Sequence, residues 1–336
     1  MCRRLIVPLL VVLTLFVATS VAPAGDDILK LVPDSALGFV VLNGPGAVDA
    51  KLQQLGREMQ LPIPSLLARL SKKGGIRDGL DEKGTAALVV LPPSGGPWPT
   101  PILLVPVTDY GKFLTQFKPE DASAAVAKIE LWGAQVCVRK VGSYAAITDA
   151  SHRETLEEAL KLSAEVPEAL APWGAWLAEK DVAAVILAPG VKLLAVQVPV
   201  GIQVLKSSMA QANEQAKQAA AVFDVYAKLF EAMGKEVSSA GFGARLDEQG
   251  VLHITKRARL VPDGSWARLA ALVKPAKENL LAGLPAEPFV AAGGGSLPEE
   301  IWEPLMRASL DMMKSMPNIY GLNAEQIDQM PKTSIT

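Results

Sequence analysis

The sequence predicts an α+β fold: an antiparallel sheet with flanking helices and one long helix. Three observations carry this prediction. Short runs rich in Val, Leu and Ile recur between Pro and Gly breaks; several are joined by turns too tight for a helical crossover; and the helical patterns fall between groups of strands rather than after each one.

The first strand is predicted at Leu37 to Leu42 of "LVPDSALGFVVLN", entered through Pro33. It leads through Asn43-Gly44-Pro45-Gly46 to a helix in which Val48, Leu52, Leu55 and Met59 recur at helical spacing. A short helix follows from Pro64 through "SLLARLSKK", stopped by Gly74-Gly75. "GLDEKG" reads as a surface turn, too short and too sparse in carboxylates for a calcium loop.

"TAALVVL" and "PILLVPV" read as neighbouring strands, the second placed at an edge or ended early by Pro106. Asp109 is expected to cap the next helix through its carboxylate. "VAKIELW", "AQVCVRKV" and "SYAAIT", parted by Gly133 and Gly142, form a meander. Ser151 and Glu154 then give a capping-box pattern before Leu156, Leu160 and Leu162.

"DVAAVILAP" is a further strand, and the chain is then mainly helical to about Lys235. The 13-residue "LLAVQVPVGIQVL", interrupted by Pro199 and Gly201, reads as a buried lead-in too short to cross a bilayer. Beyond it Leu205, Met209, Ala212, Ala216, Ala219, Phe223, Tyr226, Phe230 and Met233 follow alternating steps of four and three, a heptad seam that must be buried on something. The chain's own sheet or a neighbouring helix would satisfy it, and so would self-association or a protein partner. A last hairpin turns at Asp247 to Gly250, with Leu252 and Ile254 and then Lys256, Arg257 and Arg259 indicating one wet face.

At the N-terminus, residues 1–24 have a basic start at Arg3 and Arg4, an apolar run and the ending Ala22-Pro23-Ala24, the layout of a secretory signal peptide. Its removal takes 33 basic residues to 31 against 35 acidic, a net charge of −4. No electrostatic reason remains to expect nucleic acid, and no stable membrane span is expected after cleavage. Cys137 is then the sole cysteine, so no internal disulfide can form, and its place among alternating residues marks it as a core side chain. The organisation expected is a signal peptide at 1–24, a main α+β module at 25–278 and the beginning of a second module at 279–336. There "LPAEPFVAAGGGSLPEE" echoes the pattern of the first strand and turn. Glu299 and Glu300 follow its glycines, so the stretch is unsuited to holding phosphate.

Chemistry-bearing motifs are scarce. The two histidines, His152 and His253, lack clustered partners, and neither a zinc pattern nor a serine elbow occurs, so no catalytic, cofactor or metal residue is assigned. Asp109 and Asp149 read as helix caps, with a hydrolase using a carboxylate pair as the alternative. Among six tryptophans, Trp98 in the loop "SGGPWPTP" and the pair Trp173 and Trp176 are candidate contact-surface residues, although tryptophans more often fill cores.

Taken in order, "LVPDSALGFVVLN", "PILLVPVTDYGKFL", "SYAAITDASHRETLEEAL", "ARLDEQGVLHITKRARLVPDGSWARL" and "LLAGLPAEPFVAAGGG" make the chain similar to exported bacterial proteins of unknown function that abound in planctomycetes. The resemblance covers most of the mature chain. It implies an extracytoplasmic α+β protein, periplasmic or secreted, with no catalytic residues to carry over. It also implies an architecture repeated in a second half, which the 279–336 segment would begin. The expected function is non-enzymatic, a binding or structural role in the cell envelope.

Overall fold

The computed structural model describes residues 26–94, 96–160, 165–209, 214–248 and 250–273, together with Leu310. The leader at 1–24 and, Leu310 apart, the module expected at 279–336 lie outside them. Nine strands form one sheet: β1 (Gly38–Asn43), β2 (Thr85–Leu91), β3 (Thr100–Pro106), β4 (Ala127–Leu131), β5 (Ala134–Val141), β6 (Tyr144–Asp149), β7 (Val182–Ile186), β8 (Val237–Leu246) and β9 (Leu252–Leu260). Their order is β4-β5-β6-β3-β2-β1-β7-β8-β9. The registered pairs from β4 to β8 are all antiparallel, as the turn-linked runs require. Pro106 ends β3 rather than marking an edge, since β3 lies between β2 and β6. A residue without an N–H costs least at the last position of a ladder.

Alternation along the strands separates two faces. On one, Phe39, Val41, Val89, Ile102, Leu104 and Val185 pack in a single core with Leu156, Leu160, Leu170, Trp173 and Leu177. Cys137 is fully buried in this core, and burial pushes its thiol pKa up. On the other face, Val136, Val138 and Ile147 are covered by Phe113 and Leu114 near the β4 end. Farther along that face the directly opposed residues Leu103, Leu88, Val40 and Ala184 are only half-buried, and Phe242 beside Ala184 is 47% exposed.

The helices are α1 (Asp26–Leu29), α2 (Pro45–Glu58), α3 (Leu66–Gly74), α4 (Tyr110–Thr115), α5 (Arg153–Ala159), α6 (Gly174–Ala178), α7 (Ala188–Met209), α8 (Glu214–Glu236) and α9 (Ser265–Leu272). Gly44 takes a left-handed φ of 56° so that Pro45 can open α2, which buries Val48 and Leu52. Ser65 caps α3 by accepting from the Ala68 N–H at 2.9 Å. Asp109 caps α4 as expected, and the Lys112 backbone N–H it binds holds its carboxyl below the usual range. The expected Ser151 cap is corrected. Asp149 accepts from both the Ser151 N–H and its hydroxyl, ahead of a 3-10 turn at Ala150–His152, because its carboxylate competes better for those donors than a hydroxyl does.

The helical stretch also departs from expectation. The "LLAVQVPVGIQVL" run is neither separate nor buried. It lies inside the 22-residue α7, which contains Pro199 and exposes Val196, Val200 and Val204 by 62%, 56% and 67%. Pro189 sits well in its first turn, and helix-compatible residues extend the run at both ends. Over Ala188–Ser207 the helix is long and apolar enough, by length and composition, to cross a membrane. The seam predicted from Leu205 to Met233 falls on α7 and α8, which lie on either side of residues 210–213, outside the described residues. Ala212 lies outside the described residues.

Two compact units emerge, Met1–Val191 with Ser239–Ala258 and Lys192–Ser238 with Arg259–Thr336, a division inside the expected 25–278 module. In the second, Glu236 ties the start of α9 to the end of α8. It accepts from the Ser265 hydroxyl at 2.7 Å and the Trp266 N–H at 3.0 Å, and these bonds lower its pKa.

Candidate functional site

The loop from β2 to β3 carries Trp98 between Pro97 and Pro99. Its indole is 67% exposed. Both roots of the loop are fixed by hydroxyls. The Ser94 Oγ lies 3.0 Å from Thr100 Oγ1 and 2.8 Å from Thr155 Oγ1, and His152 Nδ1 approaches Ser94 at 3.4 Å and Thr100 at 3.5 Å. Those last two distances are at the outer limit of hydrogen bonding. Asp149 spends its Oδ1 on Ser151, and among the described residues no carboxylate bonds His152. The cluster thus gathers hydroxyls and an imidazole, with no carboxylate bonded to that imidazole among the described residues. Its evident effect is to anchor the two roots of the loop, and prolines on both sides limit the backbone at Trp98.

Trp173 and Trp176 have other uses. Trp173 is fully buried, so it offers no contact surface, and its ring meets Trp176 edge-on at 5.3 Å between centroids. Burial against Gly241 and Gly243 decides this: a Cβ on Gly241 would lie 2.5 Å from the Trp173 ring, and one on Gly243 would lie 3.0 Å from Trp176. The two glycines leave a flat strand on which the indoles rest. Trp176 is half-buried, with the Lys180 ammonium 5.7 Å from its ring.

A polar group that the sequence reading missed lies at the end of β1 and the start of β7. Asn43 donates to the Leu177 and Lys180 carbonyls at 2.9 and 2.6 Å and accepts from the Thr85 hydroxyl at 2.9 Å. Asp181, 2% exposed, accepts from the Leu246 N–H at 3.0 Å, and burial pushes its pKa up to about 6. Nearby, the buried Lys51 Nζ has no hydrogen-bond partner among the described residues. Burial lowers its pKa, against the opposing pull of Asp181 and Glu248. Lys51, Gln54, Glu58, Asp247 and Glu248 border a small open pocket of about 20 Å³, little more than room for one water. One lysine against three carboxylates makes that rim unfavourable for an anion. Among the described residues no group of three or more His, Cys, Asp or Glu side chains could hold a metal ion. Asn43 and Asp181 gave no periodic signal, since a polar residue at a strand end reads as a turn.

On the predicted seam, Leu205 is 43% and Tyr226 51% exposed, while Phe223, Phe230 and Met233 are half-buried. Met209 ends α7, and Ala216 and Ala219 lie in the first half of α8.

Comparison with protein-family models, with curated proteins and with solved structures finds no match. What fold and site together define is an α+β chain whose described polar clusters brace the structure and whose most exposed aromatic among the described residues, Trp98, lies on a loop with bonded roots.

Proposed function

We propose that this is an exported, non-enzymatic protein of the cell envelope that holds a partner through the Trp98 loop. The observation that carries the reading is the exposure of Trp98 on a loop whose roots are already fixed. A large amphipathic ring with two rotatable bonds, between two prolines, loses little conformational entropy on contact, which is how tryptophan becomes an interface hot spot. The carboxylates support the same reading. Asp109 and Asp149 serve helix starts, and Asp181 serves the Leu246 N–H. A photoreactive amino acid placed at position 98 in the exporting cell is expected to give a discrete adduct, absent when it stands at the exposed Lys128 position. Equal labelling at both positions, or none at 98, would end the proposal. Trp98→Ala should change unfolding free energy by less than ~0.5 kcal/mol, because its side chain leaves no core void.

Self-association through α8 is a second reading, favoured by Tyr226 and Leu229, which are 51% and 43% exposed three residues apart. Sedimentation of the full chain should then show a concentration-dependent mass that Tyr226→Glu abolishes. A single monomeric species at high concentration would rule it out.

A further inference from the structure

Among the described residues, the two outermost strands of the sheet have different surroundings. β4 alternates buried and exposed residues, with Lys128 and Glu130 outward, as an edge strand over a core does. β9 has no buried residue on either face. Leu252 and Ile254 are 42% and 55% exposed. Its two faces also differ. The Arg257 guanidinium lies 5.6 Å from the Trp173 ring and donates to the Pro172 carbonyl, so His253, Thr255, Arg257 and Arg259 occupy the tryptophan side. Leu252, Ile254, Lys256 and Ala258 occupy the other. Every charged side chain on the strand is basic, and His253 is matched locally by Asp247 at 2.7 Å.

We propose that β9 is a docking edge for an extended segment of another protein that alternates acidic and apolar residues and adds to the sheet as a further strand. Backbone groups on the outer side of a terminal strand are a template for such pairing, and side chains at every second position supply selectivity. Acidic residues of the added strand would face Arg257 and Arg259, and its apolar residues would cover Leu252 and Ile254. A second copy of this chain is the wrong occupant, since β9 against β9 sets arginines beside arginines. Basic residues on an edge can simply discourage pairing. That use gives no reason to leave Leu252 and Ile254 uncovered on the opposite face.

The test titrates the full chain with a blocked heptapeptide alternating Glu and Val. Binding is expected, at least ~5-fold weaker with Gln in place of Glu and for Ile254→Lys, and lost with Lys in place of Glu. N-methylation of alternate peptide amides should abolish it, and the outer-edge amides of β9 should exchange more slowly in the complex. Trp98→Ala should leave the affinity unchanged, which separates this edge from the loop contact. Absence of binding, equal binding of the N-methylated peptide, or outer-edge amides already protected in the full chain alone would each overturn the proposal.

Discussion

Replacing Trp173 by alanine is expected to cost about 3–5 kcal/mol of unfolding free energy, read as a drop in denaturant midpoint at unchanged slope. The indole is completely buried in the larger core and rests on the strand surface that Gly241 and Gly243 leave open. Removing it opens a void in that core. The loss should fall at the low end of that range, because the buried Trp173 Nε1 has no hydrogen-bond partner among the described residues and its removal relieves an unsatisfied donor. Trp173→Phe, which keeps most of the apolar contact and discards that donor, should therefore cost much less than Trp173→Ala. Gly241 offers a reciprocal check. In the native chain Gly241→Ala should be strongly destabilising, since its Cβ would lie 2.5 Å from the ring. In the Trp173→Ala background the same change should cost much less, the remainder coming from the Trp176 ring 3.1 Å from that Cβ. Additive losses in the double variant would show that ring and glycine are not packed together.

Which parts of this arrangement the sequence could announce follows from where each constraint is written. "TAALVVL" coincides with β2 from end to end, because apolar residues between Gly84 and Pro92 leave no other local solution. Asp109 before a helical pattern is likewise a local statement. The Trp173 packing is not, because the residues that admit it, Gly241 and Gly243, stand far along the chain and inside a hairpin look like ordinary strand glycines. Leu252 and Ile254 misled for the same reason: alternation promises a buried face only if something covers it, and among the described residues β9 stays open on both sides. Helical periodicity located the apolar positions of α7 and α8 but carried no mark of whether anything would cover them, and Val196, Val200 and Val204 stay exposed. Trp98 could be picked out early because two prolines around an aromatic are visible in the eight letters of "SGGPWPTP". The hydroxyls that fix its loop were not visible, since Thr155 and His152 arrive from the far side of the meander.

Asp181→Asn should raise stability at pH 7.5 by up to about 3 kcal/mol and flatten the pH dependence between about 4 and 6. The carboxyl pKa moves from 3.8 to about 6 on folding, driven first by burial and opposed by the Leu246 N–H and by Lys51. With the folded value raised, the folded state binds the extra proton across that window. Stability from this group therefore falls as pH rises through it, and the full cost stands at neutral pH. Asparagine keeps an oxygen for the Leu246 N–H and removes the charge, so the hydrogen bond at 3.0 Å survives while the burial cost does not. Lys51 sets the limit on the gain. Its Nζ is itself buried, and Asp181 is the largest favourable influence on its charge, so the single variant leaves that ammonium less compensated. The double variant with Lys51→Met should for that reason exceed Asp181→Asn alone at pH 7.5. Lys51→Met by itself should shift the window to higher pH, because the remaining carboxylate loses an attractive charge. Chemical unfolding at pH 4.0 and pH 7.5 on the four chains gives the answer. A wild-type chain more stable at pH 7.5 than Asp181→Asn would mean that the buried aspartate is held by a favourable charge interaction rather than strained by its burial.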